Sequence, residues 1–243
     1  LKICIPSLGR PDSIGKTLDF VGRENTRVYV NPDDEQAYID SIGKELVRVV
    51  DDPKVRGITP TRQFMLEDNR KEDWFCMIDD DCIGMLYRFT DKFTEITETN
   101  HFREVLLSTY QMCLDLGTPL WSYSAPQNPS FYTLLDHFKF SGNMSSFHGI
   151  IPSLMGNINY DTRLKVMEDY DIALQCKYYK RFLIVDKRYC LKFNNPYFQK
   201  GGCSVNRNKD ILWEAGELMR KKYGTKVVQR NPQKLQHKIT FPF

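Results

Sequence analysis

The chain has 243 residues, of which 41% are hydrophobic and 13% aromatic, and a formal net charge of +3. That suffices for one sizeable domain, with or without an appendage, and no stretch approaches the ~20 apolar residues of a membrane-spanning helix. The start reads as a short strand, not a signal peptide. Seven scattered cysteines without Cys-x-x-Cys spacing exclude a zinc ribbon or a redox pair, and read as reduced core residues of a cytoplasmic protein.

In chain order, residues 2–6 read as a strand and 7–12 as a turn. Residues 13–21 place Ile14, Leu18 and Val21 at helical spacing. Residues 26–31 are a strand, 33–43 a helix, 46–50 a strand, and 59–68 a helix with Pro60 in its first turn. The run Trp74-Phe75-Cys76-Met77-Ile78 is apolar throughout, as suits a strand buried on both faces. This alternation predicts an α/β fold with a parallel sheet covered by helices. Beyond it, 85–90 reads as a strand, 102–116 as a helix, 120–124 and 147–151 as strands, and 168–179 as a helix. Strands follow at 182–185 and 189–193, then a helix at 209–223 and a basic tail. Residues 125–146 read as a loop or insertion, and 194–206 as a loop with a Gly201-Gly202 pair.

The apolar run ends in Asp79-Asp80-Asp81. Three adjacent carboxylates repel one another and lose solvation on burial, so they belong in water or around a cation. Parallel sheets bind ligands beyond the carboxyl ends of their strands. The triplet is therefore a candidate site for Mg2+ or Mn2+, with a simple acidic turn as the alternative. A second cluster, Glu168-Asp169-Tyr170-Asp171, opens a predicted helix. At ~100° per residue, Glu168 and Asp171 share a face and Asp169 points elsewhere, so one acid can face a site while another caps. Two such clusters suit a division in which one holds a metal and the other takes a proton from a hydroxyl.

Other motifs narrow the chemistry. Residues 9–17 look like a Walker A loop, but with five residues between the glycines in place of four and with Pro11, which has no N–H to offer a phosphate. Ser7, Arg10 and Asp12 of the same turn can still meet a nucleotide. Arg62, on the helix before the central strand, can pair with a carboxylate or a diphosphate. His101, His137, His148 and His237 have no ligand spacing, and no Gly-x-Ser-x-Gly elbow exists, which leaves nucleophilic hydrolase chemistry unsupported. His148 reads as packed or hydrogen-bonded. Charge is segregated: residues 1–176 carry a balance of −9 and residues 177–243 one of +12. A polyanionic partner for the C-terminal part follows, against the alternative of a solvated basic helix.

The opening Ile3-Cys4-Ile5-Pro6-Ser7 with Gly9-Arg10, the Arg62 helix, Asp79-Asp80-Asp81 and Glu168-Asp169 occur in the order and places of the GT-A glycosyltransferase motifs. The sequence resembles that family over residues 1–193. More narrowly, Ile5-Pro6-Ser7, residues 29–38, the triple Asp and Asn159-x-Asp161 followed by Glu168-Asp169-Tyr170-Asp171 look like the phage-type TET-associated glycosyltransferases. The resemblance implies a GT-A domain over 1–205, a Rossmann-like nucleotide-sugar sheet with helices on both faces and a small acceptor-side extension. Residues 206–243 would be a basic helix and tail packed on it. It implies metal-dependent transfer from a UDP-sugar to a hydroxyl, favouring a hydroxymethylated pyrimidine in DNA. A glycan acceptor and a non-catalytic nucleic-acid-binding module are the alternatives. A nucleotidyltransferase is disfavoured by the Arg10-Pro11 turn.

The residue roles implied are these. Pro6, Ser7, Arg10, Arg62, Asp79 and Asp80 line the nucleotide-sugar pocket, with Asp79 toward the ribose. Asp81, with Asp79, holds Mn2+ or Mg2+. Asp169 is the general base, with Glu168 and Asp171 as alternatives. The family's late His is missing from the loop after residue 193, so either the metal would be held by fewer protein ligands or Lys200 would partly neutralise the diphosphate, and the Gly pair would make the loop a lid. Arg220, Lys221, Lys222, Lys226 and Arg230 would hold DNA phosphates, and Tyr178, Tyr179, Tyr197 and Phe198 would offer stacking surfaces. The expected location is the cytoplasm, that of the host for a phage-encoded protein, with no membrane partner.

Overall fold

The fold is built around one sheet, in a computed structural model that describes residues 1–88, 92–124, 136–144, 146–194, 208–234 and 236–241. In chain order its elements are β1 (Lys2–Pro6), α1 (Ile14–Val21), β2 (Thr26–Val30), α2 (Glu35–Ile42), β3 (Val47–Val49), α3 (Ile58–Asp68), β4 (Phe75–Ile78), β5 (Cys82–Tyr87) and β6 (Thr94–Ile96). There follow α4 (Thr99–Leu116), β7 (Leu120–Ser124), β8 (Phe138–Lys139), β9 (Phe147–Ile150), α5 (Pro152–Met155), α6 (Glu168–Lys180), β10 (Ile184–Phe193), α7 (Lys209–Tyr223), β11 (Val228–Asn231) and β12 (Gln236–Ile239).

The strand order is β3-β2-β1-β4-β9-β7-β10-β5-β6, with β8 paired to β10. β1, β2, β3 and β4 are parallel, and β10 is parallel to β7. The expected parallel sheet with covering helices is observed, and three of its strands run against the rest. β9 runs antiparallel between β4 and β7, and β5 and β8 run antiparallel to β10. The fold is α/β, with a mostly parallel sheet flanked by helices.

β4 lies at the centre, and its alternating residues feed two cores. Cys76 and Ile78 join the cluster with Ile14, Leu18, Phe102 and Trp121. Phe75 and Met77 join Met65, Leu66, Ile150 and Ile172 on the other face. A strand covered on both faces has no polar position to spare, hence its apolar run. β9 approaches β7 so closely that a Cβ on Gly149 would strike the Trp121 indole, and this seats the neighbouring His148 beside β4.

Two segments depart from the sequence expectation. The strands foreseen at 182–185 and 189–193 are one strand, β10, with a register shift between Asp186 and Cys190. At that irregularity Asp186 is fully buried and neutralised by Arg188 Nη2 at 2.7 Å. The basic tail forms a hairpin, β11–β12, whose Val228 and Ile239 join Ala215 and Met219 of α7 and Leu174 of α6 in a third core. No helix among the described residues is long and apolar enough to cross a membrane.

Candidate active site

The triple Asp closes the loop between β4 and β5, where Cys82 N–H donates to the Asp79 carbonyl at 3.3 Å. The tight turn sends its three carboxylates to different partners. Asp79 accepts from Arg62 Nη2 at 2.8 Å and leaves a third of its side chain exposed. Asp80 is buried, accepting from Ser7 Oγ at 2.6 Å and Arg10 Nη1 at 2.7 Å, while its carbonyl takes the Thr17 hydroxyl at 2.8 Å. Tyr38 extends this network: its oxygen lies 2.6 Å from Ser7 Oγ and accepts from Arg10 N–H at 2.9 Å. Asp80 thereby pins the turn between β1 and α1.

Asp81 is the least compensated member: among the described residues its nearest cation, Arg10 Nη1, is 3.9 Å away. Burial, reinforced by Asp79 and Asp80, pushes its carboxyl up to about 6. Among the described residues no group of three or more His, Cys, Asp or Glu side chains gathers that could hold a metal. An Mg2+-type ion, however, needs only one or two carboxylates when a substrate phosphate completes its shell. The poorly neutralised Asp81 beside the half-exposed Asp79 fits that donor set.

The second cluster opens α6, after Met167 in a left-handed conformation at φ 69°. Glu168 Oε1 accepts from Arg62 Nη1 at 2.9 Å. Burial outweighs this pairing and pushes the Glu168 carboxyl up to about 7. Asp169 accepts from Asn143 Nδ2 at 3.0 Å, and burial raises its carboxyl too. Asp171 faces away from both. It is fully buried between α6 and α7 and receives Tyr223 Oη at 2.6 Å, Lys222 Nζ at 2.7 Å and Gln175 Nε2 at 2.7 Å. The expected shared face of Glu168 and Asp171 is therefore not observed. The long Glu168 side chain at the helix start reaches Arg62, whereas Asp171, one turn in, lies under α7.

Arg62 joins the clusters. It stands on α3, 3% exposed, and besides Asp79 and Glu168 its Nη1 meets His148 Nε2 at 2.8 Å. Burial disfavours its charge, but Asp79 and Glu168 outweigh burial and raise its proton affinity. The sequence placed Arg62 among the residues lining a nucleotide pocket; the structure places it in the interior, bonded to protein acceptors.

The other expected site residues fall as follows. Pro6, at the end of β1, is buried beside Ser7. Lys222 is held by Asp171 and Asp161, and Arg230 by Glu217. Arg220, Lys221 and Lys226 lie at and just beyond the end of α7. Tyr178 and Tyr179 are exposed near the end of α6. Lys200, Tyr197, Phe198 and the Gly201-Gly202 pair lie outside the described residues. Asn143, Tyr38 and Tyr160 were not singled out from the sequence. No local signal marks them, because each acts through a partner distant in the chain.

A mostly parallel sheet with acidic clusters at a strand end and a helix start places its charged groups where such sheets bind ligands. The chain matches the TET-associated glycosyltransferase family over residues 1–195 and belongs to it. No curated protein sequence matches it. Among solved structures, S. aureus TarS 1–349 superposes with a TM-score of 0.54 at 12% identity, over 91% of this chain and 65% of TarS 1–349. S. aureus TarS 1–349 in complex with UDP gives a TM-score of 0.49 at 11% identity, over 90% of this chain and 66% of that one. The 4-diphosphocytidyl-2C-methyl-D-erythritol synthase from Anaerococcus prevotii gives 0.46 at 12% identity, over 90% of this chain and 96% of that one. At such identities the likeness describes the fold. The chain spans about two thirds of the TarS 1–349 length.

Proposed function

We propose that this glycosyltransferase moves a sugar from a UDP-sugar to the hydroxyl of a hydroxymethylated pyrimidine in DNA, with Mn2+ or Mg2+ at the donor diphosphate. One observation carries the reading: a single buried arginine holds a carboxylate from each acidic cluster, so that donor-side and acceptor-side acids converge on one place. In this reading Asp79 offers its exposed edge to the ribose. Asp81, with Asp79, would hold the cation, which would neutralise the charge that the leaving diphosphate gains. Arg10, already clamped by Asp80 and lying near Asp81, adds a fixed positive charge on the same side.

A hydroxyl is a poor nucleophile until its proton is removed. Asp169 suits that task, because burial raises its proton affinity and Asn143 orients it. Support for a DNA acceptor comes from the family description, which names these glycosyltransferases as TET-associated, and from the +12 balance of residues 177–243. A base inside a duplex must flip out to reach the site, or be presented in a single strand. The cytoplasm, where UDP-sugars and phage DNA meet, is the proposed location.

The test is direct. The protein is incubated with Mn2+, a panel of UDP-sugars, and DNA with or without 5-hydroxymethylpyrimidines, and the digested nucleosides are weighed. A hexose or pentose increment on the modified base is the expected result. Donor hydrolysis without any DNA product, but with transfer to a glycan, would replace the DNA acceptor by a saccharide.

A further inference from the structure

We propose that His148 and Tyr160 are positioning residues that hold Arg62 as a bridge of fixed length between Asp79 and Glu168. Arg62 would then aim the two acids and not bind the diphosphate itself. The proposal rests on the function proposed above for its consequences in catalysis, but its geometry stands apart from that function.

A guanidinium can only donate hydrogen bonds. The 2.8 Å contact from Arg62 Nη1 therefore makes His148 Nε2 an acceptor, which puts the ring proton on Nδ1. Nδ1 lies 2.7 Å from the Tyr160 oxygen, so it donates there. The Tyr160 hydroxyl in turn donates to Met77 Sδ at 3.6 Å. Every member is buried: Arg62 is 3% exposed, His148 0%, Tyr160 3% and Met77 1%. The hydrogen-bond chain has one sense, each donor passing from the arginine inward to Met77 in the core of β4.

The backbone fixes this chain at both ends. Met77 and His148 are register partners in β4 and β9. Tyr160 N–H donates to Gln63 Oε1 at 2.9 Å, and Gln63 is the neighbour of Arg62 on α3. Arg70, further along α3, reaches Asn159 Oδ1 at 2.7 Å. The segment carrying Tyr160 is thus tied to the helix carrying Arg62 at two points.

The residue type is meaningful. Arg62 already faces two carboxylates with one positive charge. A third carboxylate at position 148 would leave the site overcharged and buried. A neutral imidazole instead supplies an acceptor without charge. It occupies one N–H of Nη1 and prevents the guanidinium from turning to chelate Glu168 with both nitrogens. Asp79 and Glu168 consequently take one bond each from different nitrogens, which sets their separation.

The experiment combines three variants with a spectroscopic readout. Long-range proton–nitrogen NMR of wild-type protein at pH 7.5 should show His148 as the Nδ1–H tautomer, and Tyr160→Phe, in which Arg62 still donates to Nε2, should keep that tautomer while shifting the Nδ1 resonance. His148→Leu should lower kcat for sugar transfer or donor hydrolysis by about tenfold or more, the scale of lost orienting contacts. Its affinity for UDP with Mn2+, by calorimetry, should change by less than about threefold. His148→Gln, whose Oε1 can still accept from Arg62, should recover most of kcat.

An Nε2–H tautomer in the wild type would overturn the proposal. So would unchanged kcat in folded His148→Leu, a loss of UDP affinity equal to the loss of kcat, or a His148→Gln variant as slow as His148→Leu. Should His148→Leu fail to melt cooperatively, Tyr160→Phe and the tautomer decide. Should the wild type neither transfer nor hydrolyse any nucleotide-sugar, the proposed function falls, and the NMR result still decides whether the bridge exists.

Discussion

The two acidic clusters, ninety residues apart in sequence, treat their members alike. Each gives one acid to Arg62: Asp79 from the first and Glu168 from the second. Each commits one acid to the fold: Asp80 clamps the turn after β1, and Asp171 clamps α7 onto α6. Each leaves one acid without a close cationic hydrogen-bond partner, Asp81 and Asp169, and burial raises the proton affinity of both. They differ in setting. The first cluster sits at a strand end beside two arginines, while the second sits at a helix start between Arg62 and Lys222. Proximity of carboxylates therefore does not mean a shared task, and the partner of each acid separates chemistry from architecture.

The sharpest way to break this division is to exchange members. Asp169→Asn should reduce sugar transfer by about 10²–10⁴-fold with little change in melting temperature, as expected on losing a general base. Asp171→Asn should do the reverse. It loses the charge-assisted bonds from Lys222 and Tyr223, though Lys222 keeps Asp161, and should cost about 1–3 kcal/mol of stability, with chemistry largely intact in the folded fraction. Turnover and thermal melting of the two variants, measured side by side, decide between them. If Asp171→Asn proved the inactive but stable one, the assignment of roles within the cluster would be wrong.

The positions of these acids were legible in the sequence, but their partners were not. Apolar runs and helical spacing located β1, β7 and α7 with their observed boundaries, because their burial patterns are simple. The polar trio Asp186-Lys187-Arg188 read as a break in a strand, since a buried Asp with its own Arg two residues on looks from sequence like an exposed turn. The β11–β12 hairpin has only short apolar alternation among many charges, and its pairing is set by α7. Arg62 meets His148 and Glu168 across 86 and 106 residues, and no local pattern can report such contacts. The helical-face argument failed at Asp171 for the same reason: α7 supplies its cation, Lys222, from 51 residues further on.

The asymmetry of the second cluster can be sharpened through pH. The Glu168 carboxyl is raised to about 7 in the folded protein, mainly by burial, from 4.5. A carboxyl with a raised folded pKa contributes stability that is fully present below its unfolded value and is lost as pH rises through the folded value. Stability from this group should therefore fall between pH 5 and 8, by up to about 3 kcal/mol. Glu168→Gln should flatten that part of the profile. A melting temperature that rose over the same interval in the wild type, and fell in the variant, would contradict the burial of an incompletely compensated acid beside Arg62.

The smallest effect extends the division to the basic segment. Lys222 and Arg230 are bound by Asp171 and Glu217, whereas Lys221 and Lys226 stand exposed near the end of α7. Only cations not already paired within the protein release counterions from DNA in full. Converting Lys221 and Lys226 to Ala should thus weaken DNA binding uniformly across sequences. It should also reduce the slope of log K against log salt by about 1–2, with no change in donor hydrolysis. Lys222→Ala should act mainly on melting temperature, through the loss of its contact with Asp171. Fluorescence anisotropy at several salt concentrations reads both variants. An unaltered slope in the Lys221, Lys226 variant would move the DNA surface away from the end of α7, and a large slope change in Lys222→Ala would mean that its partnership with Asp171 yields to phosphate.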